Sequence, residues 1–178
     1  MEKARMMLNS IVSESEKVGK TMLIKYYISE YRSTNPIFLA QLFKLILKYI
    51  YENEDFELFE VIFENFPQEL GVYGYESQEE LNNLISYLIE GNYLDMIKKT
   101  LQVIPRIGNQ RTLTLLKELI QNFEKSKYID TKLLYDLKKT AFDLKTNIEN
   151  AKRGLHLLNI IESESTTRWK KFEEEVDE

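Results

Sequence analysis

Residues Leu42–Pro67 read LFKLILKYIYENEDFELFEVIFENFP, and residues Glu80–Pro105 read ELNNLISYLIEGNYLDMIKKTLQVIP. A shift of 38 residues lays the first stretch on the second without a gap. Ile46, Leu47, Tyr49, Ile50 and Tyr51 fall on Leu84, Ile85, Tyr87, Leu88 and Ile89, and Glu52 falls on Glu90. Phe56, Leu58, Phe59, Phe63 and Phe66 fall on Leu94, Met96, Ile97, Leu101 and Ile104, and Pro67 falls on Pro105. Apolar residues three and four apart mark one face of a helix. The pattern therefore predicts a helix, a tight polar turn, a second helix and a proline stop, made twice.

The flanking chain extends this all-α reading. Three prolines and six glycines in 178 residues fall at a few sites separated by helix-length stretches, too sparse for the turns of a β protein. Residues 3–32 suit one long helix or two shorter ones, with Ser13–Lys17 a polar interruption and Gly19 a weak point. Pro36 suits the first position of a helix over 36–51, behind Thr34 or Asn35 as cap. That helix is apolar nearly all round apart from a stripe of Gln41, Lys44 and Lys48, which places it at the centre of the fold. Asn53 is a candidate cap for a helix over 54–66, with Gln68–Glu76 the longest loop. Ser77 and Glu80 have the spacing of a capping box for a helix over 78–90. A helix over 93–104 follows, then Gly108-Asn109 opens 110–125, and Asp130 caps a long last helix. The expected architecture is about seven helices in antiparallel hairpins, 36–67, 77–105 and 110–150, stacked as a short solenoid or irregular bundle. One domain covers 1–162, and a polar, acidic extension, 163–178, follows.

The last helix carries a second signal. Leu134, Leu137, Ala141, Leu144, Ile148, Ala151, Leu155 and Leu158 recur three and four apart, as in a coiled coil. The register passes through Glu162 and Ser165 to Trp169, Phe172 and Val176. Two readings follow. The helix packs along the hairpins, or Leu144, Ile148, Ala151, Leu155 and Leu158 form a seam for a second copy.

The net charge of −5 hides a segregation: −8 over residues 1–97, +7 over 98–153 and −4 over 154–178. From Tyr49 to Ile97 there is no Lys or Arg and there are twelve acidic residues. Glu52, Glu54, Asp55, Glu57, Glu60 and Glu64 form a candidate acidic partner surface. Lys98, Lys99, Arg106, Arg111, Lys138, Lys139, Lys152 and Arg153 form a candidate basic one, for a protein or for nucleic-acid phosphates. An acidic balance overall and the absence of any nucleic-acid motif disfavour the second partner. The doubled hairpin keeps its apolar positions but changes its outside, since Glu60, Val61 and Glu64 become Lys98, Lys99 and Gln102.

The chemistry the sequence excludes is extensive. With no cysteine there is no disulfide, thiolate metal site or thiol nucleophile. His156 stands alone, so neither a histidine metal site nor a Ser/His/Asp arrangement is indicated. Val18-Gly19-Lys20-Thr21 has the end of a phosphate-binding loop, but Glu14 stands where the motif needs glycine. Carboxylate catalysis needs a desolvated acid, whereas the spacing of the acidic set places it in solvent. The expectation is therefore no catalytic residue, no cofactor and no metal, with a helical enzyme using a carboxylate site as the last alternative. No apolar run reaches the roughly 20 residues of a membrane span, and no secretory signal opens the chain, which makes the cytoplasm the default location.

The doubled hairpin, with its short turns and its period of 38, resembles the helical-repeat class of HEAT and armadillo proteins over residues 36–105 and, loosely, over a third hairpin at 110–150. The resemblance implies a non-catalytic interaction or scaffold role in which helix surfaces hold another protein.

Overall fold

The computed structural model describes the backbone of residues 2–125 and 130–176, and side chains as far as Gly154. Ten α-helices account for it: α1 (Glu2–Ser13), α2 (Lys17–Tyr31), α3 (Pro36–Asn53), α4 (Phe56–Asn65), α5 (Pro67–Tyr73), α6 (Gln78–Glu90), α7 (Leu94–Thr100), α8 (Ile104–Ile107), α9 (Gln110–Lys125) and α10 (Thr131–Val176). A 3-10 turn, Gly74–Glu76, joins α5 to α6, and no strand occurs among the described residues.

The doubled hairpin is α3–α4 and α6–α7, and its turns share two backbone bonds. Glu54 and Asn92, 38 positions apart, are the two non-glycine residues with positive φ among the described residues, at 54° and 55°. After Glu54, the Asp55 N–H donates to Ile50 O (3.1 Å) and the Phe56 N–H to Glu54 O (2.9 Å). After Asn92, the Tyr93 N–H donates to Leu88 O (2.9 Å) and the Leu94 N–H to Asn92 O (3.0 Å). Each bond is the other's image under the shift. The reversal is thus made by backbone, and the side chains on it are free to differ.

The prolines act differently from the expected stops. Pro67 begins α5, and Pro105 lies in the first turn of α8. Proline lacks the N–H that the first turn leaves unpaired anyway, so it starts a helix as readily as it ends one. The expected loop Gln68–Glu76 is therefore mostly helix, and this adds to the helix count. Two caps also move. Asp55, not Asn53, caps α4, its Oδ1 accepting from the Leu58 N–H at 2.9 Å. Ser77 makes no side-chain cap. Its N–H donates to Gly74 O, and Glu80 turns to Lys44, Oε1 to Nζ 3.8 Å, so the capping box does not form. Asp130 caps α10 as expected, accepting from the Lys132 and Leu133 N–H groups.

Apolar side chains from Met7 to Leu144 form one connected core. Helix α3 is its centre. It buries Leu39, Ala40, Leu42, Phe43, Ile46, Leu47 and Ile50, and α1, α2, α4, α5 and α6 all pack on it. Further on, α6 packs on α7 and α9, and α10 packs on α8 and α9. In α4 the Phe59 and Phe63 rings stack with centroids 4.4 Å apart, both fully buried.

Residues 2–31 form two helices, broken at the polar Glu14-Ser15-Glu16 and not at Gly19. Gly19 lies inside α2 with the Glu14 side chain folded over it, where an added Cβ would meet Glu14 Cδ at 2.5 Å. Helix α2 buries Lys20, Ile24 and Ile28. Its apolar residues Val18, Met22 and Tyr26 are 68%, 66% and 59% exposed. Both faces of α2 are partly apolar, and periodicity alone does not say which one turns inward.

Two measurements check this reading. A β-branched residue is excluded from the left-handed region. Glu54→Val and Asn92→Val are therefore each expected to cost about 1–2 kcal/mol in urea unfolding, while Glu54→Gly and Asn92→Gly are tolerated. Ser77→Ala is expected to leave stability unchanged or slightly raised, against the roughly 1 kcal/mol loss of a working cap.

Candidate interaction surfaces

The acidic set is largely satisfied from within. Lys17 and Lys20, one turn apart on α2, face Glu57, Glu60 and Glu64 on α4. Lys17 Nζ donates to Glu60 (2.8 Å) and Glu64 (3.2 Å). From the other side Lys99 of α7 reaches Glu64 (2.6 Å) and Glu60 (3.7 Å). Lys20, 7% exposed, donates to Glu57. The lysine hydrogen bonds and charges hold the Glu60 and Glu64 carboxyls below the ordinary carboxylate range. They raise Lys17 and Lys99 in turn. Of the remaining three, Glu52 sits 3.6 Å from Lys48, Asp55 is a cap, and Glu54 occupies the left-handed turn.

This ladder explains the changed outside of the second hairpin. Lys99 stands where the repeat has Val61, and it is the residue that closes the carboxylates of the first hairpin. Gln102, at the Glu64 position, donates to Phe63 O at 2.6 Å. Much of the exchange from acidic to basic is thus a match between neighbouring hairpins. Gly19-Lys20-Thr21 belongs to the same interface, inside a helix, with Thr21 Oγ1 donating to Lys17 O. It cannot cradle a phosphate there.

The basic set divides. Lys99 is in the ladder, and Lys138 pairs with Glu124 at 2.5 Å. Arg111 is exposed at the start of α9, and Arg153 is exposed on α10. The other four border two adjoining clefts that share Pro105. The first, about 380 Å³, has Leu101, Pro105 and Thr140 among its lining, with Lys98, Lys139, Asp136 and Asp143. The second, about 350 Å³, lies against Leu144 and Ile148 and carries Arg106 and Lys152. None of Lys98, Arg106, Lys139 and Lys152 forms an ion pair with a described residue.

The elements around these clefts are firmly placed. Asn109 opens α9, its Oδ1 accepting from the Arg111 (2.9 Å) and Thr112 (3.2 Å) N–H groups. Thr112, fully buried, donates through Oγ1 to Asn82 Oδ1 of α6 at 2.6 Å. Asn147 ties α10 to α8 by donating to Pro105 O at 2.8 Å. The Arg106 side chain lies over Gly71, where an added Cβ would come within 2.6 Å of its Cδ. Sequence reasoning missed this polar network, because three separate Asn and Thr positions carry no pattern until α6 and α9 meet.

The seam on α10 also divides. Leu144 is buried in the molecule's own core, as are Leu137 and Ala141 earlier in the same heptads, whereas Ile148 is half-buried and Ala151 is exposed. The lower heptads therefore pack against α8 and α9. The side chains of Leu155, His156 and Leu158 lie outside the described residues.

Among the described residues no cluster of three or more His, Cys, Asp or Glu is placed to hold a metal ion. No described helix is long and apolar enough to cross a membrane. Asp136 and Asp143 share the first cleft, two helical turns apart with Lys139 between them. No family model, curated protein or solved structure matches this chain.

The ladder has a defined pH signature. Carboxyls lowered in the fold add stability above their ordinary value of 4.5, and lose it as pH falls through the lowered values. Lysines raised in the fold add stability below 10.5, and lose it as pH rises through the raised values. The contribution is therefore full between those limits. Glu60→Gln with Glu64→Gln should lower stability at neutral pH, less so in high salt. It should also flatten the fall in stability between about pH 5 and pH 3, read by urea unfolding.

Proposed function

We propose that this chain is a non-catalytic protein-interaction module, a short stack of antiparallel helical hairpins whose cleft between α8 and α10 holds an acidic segment of another protein chain. The stacked reading is supported by packing order. Helices α1, α3, α6 and α9 pack each on the next, and α2 packs on α4 and α4 on α7. Each hairpin thus meets its neighbours in sequence, as in the helical-repeat class.

The observation that carries the proposal is the contrast between two charge sets. The carboxylates of α4 are met by lysines of the same molecule, while Lys98, Arg106, Lys139 and Lys152 border two adjoining clefts, with Leu101, Pro105, Leu144 and Ile148 in their lining, and have no described ion-pair partner. Unpaired cations around buried apolar atoms suit a partner that brings carboxylates and apolar anchors together. Asp136 and Asp143 interrupt the cationic rim, which suits a peptide with spaced charges better than an unbroken phosphate backbone.

Fluorescence anisotropy with labelled acidic peptides containing spaced apolar residues tests this. Saturable binding is expected, weakened about tenfold or more by Lys98→Glu with Lys139→Glu, and weakened by salt. Binding unchanged by the double substitution would remove the cleft from consideration. Tighter retention of a single-stranded oligonucleotide than of any peptide would favour the nucleic-acid reading instead.

A further inference from the structure

The cleft has a complementary segment within the same sequence. Residues 173–178, Glu-Glu-Glu-Val-Asp-Glu, carry five carboxylates in six positions. Just before and among them, Trp169, Phe172 and Val176 recur three and four apart, the spacing of one helix face. An apolar stripe beside a block of acid suits the two adjoining clefts, where Leu101, Pro105, Leu144 and Ile148 lie among Lys98, Arg106, Lys139 and Lys152, with Asp136 and Asp143 spacing the cations of the first. The same molecule cannot supply it. Helix α10 runs without a break from Thr131 to Val176. At about 1.5 Å per residue, Glu173 stands roughly 45 Å along the helix from Asp143 in the cleft.

We infer that the acidic end of α10 docks into the α8–α10 cleft of a second copy of this chain, each copy giving its end and receiving the other's. This rests on the reading of the cleft as a docking site, and it names the occupant. Reciprocal exchange makes a closed two-fold dimer, because the same surface gives and takes on both sides. It also accounts for the charge order along the chain, in which the stretch of +7 is followed directly by the stretch of −4. Of the seam expected from the heptads, Leu144 is buried within the molecule, while Ile148 is half-buried and Ala151 exposed beside the second cleft.

Charge exchange between full-length chains tests the inference. Light scattering of the wild type is expected to give a dimer that dissociates as salt rises. The groove variant, Lys98→Glu with Lys139→Glu, and the end variant, Glu173→Lys with Glu174→Lys and Glu175→Lys, should each be monomeric where the wild type is dimeric. Circular dichroism should show both folded. Mixed in equal amounts, the two variants should form a heterodimer, because the reversed end meets the reversed groove while the native end meets the native groove. A wild type that remains monomeric up to high protein concentration, or variants that dimerise as the wild type does, would overturn the inference. A peptide of residues 168–178 titrated into the end variant separates the two levels. If other acidic peptides bind there and this one does not, the cleft stands as a docking site and the second copy is wrong as its occupant. If none binds, both readings fall.

Discussion

Helix α3 is too apolar to face water on any broad side, and the other elements are arranged to cover it. A side chain such as Phe43, Ile46 or Leu47 contributes about 1.5–3 kcal/mol when withdrawn from solvent, and α3 withdraws seven apolar residues. Five helices are needed for this, drawn from both sides of α3 in sequence. The surrounding helices are ordinary amphipathic ones and bury a single stripe. The short α5 and the 3-10 turn after it complete the cover, which is why a stretch without evident periodicity still folds back onto α3.

What was legible in the sequence was whatever depends on spacing within one element. The two hairpins, the apolar helix at the centre, the Asp130 cap and the opening of α9 at Asn109 can all be read from neighbours a few residues apart. What was not legible depends on elements meeting. Lys17 and Lys20 looked like minor cations in an acidic half, and their worth appears only when α2 lies beside α4. Val18, Met22 and Tyr26 have the same spacing as Ile24 and Ile28, so choosing between the two faces of α2 requires knowing that Glu57, Glu60 and Glu64 attract one of them. Pro67 and Pro105 mark boundaries, but a proline does not say whether a helix ends before it or begins at it. The clefts were invisible for the same reason, since residues 98–109 and 136–152 line them jointly.

Charge segregation along the chain has two separate outcomes in the fold. On α4 it is resolved internally, as lysines of α2 and α7 close on its carboxylates. Along α8 and α10 it is left open, with cations over apolar atoms. Net charge by segment cannot distinguish these cases. The distinction comes from which side chains reach a partner within their own molecule.

The turns at Glu54 and Asn92 bear on how such a chain can change length. Both share the same pair of main-chain bonds and lie one period apart, and the first alone adds a side-chain cap, from Asp55, so the shared reversal rests on the backbone and on tolerance of a left-handed position. A unit bounded by two such turns is a transferable piece of chain. Duplication in frame would add another hairpin with its geometry intact, leaving only the side chains at the new contact to be adjusted. In the present pair that contact is made by Lys99, which stands at the Val61 position and reaches back to Glu60 and Glu64.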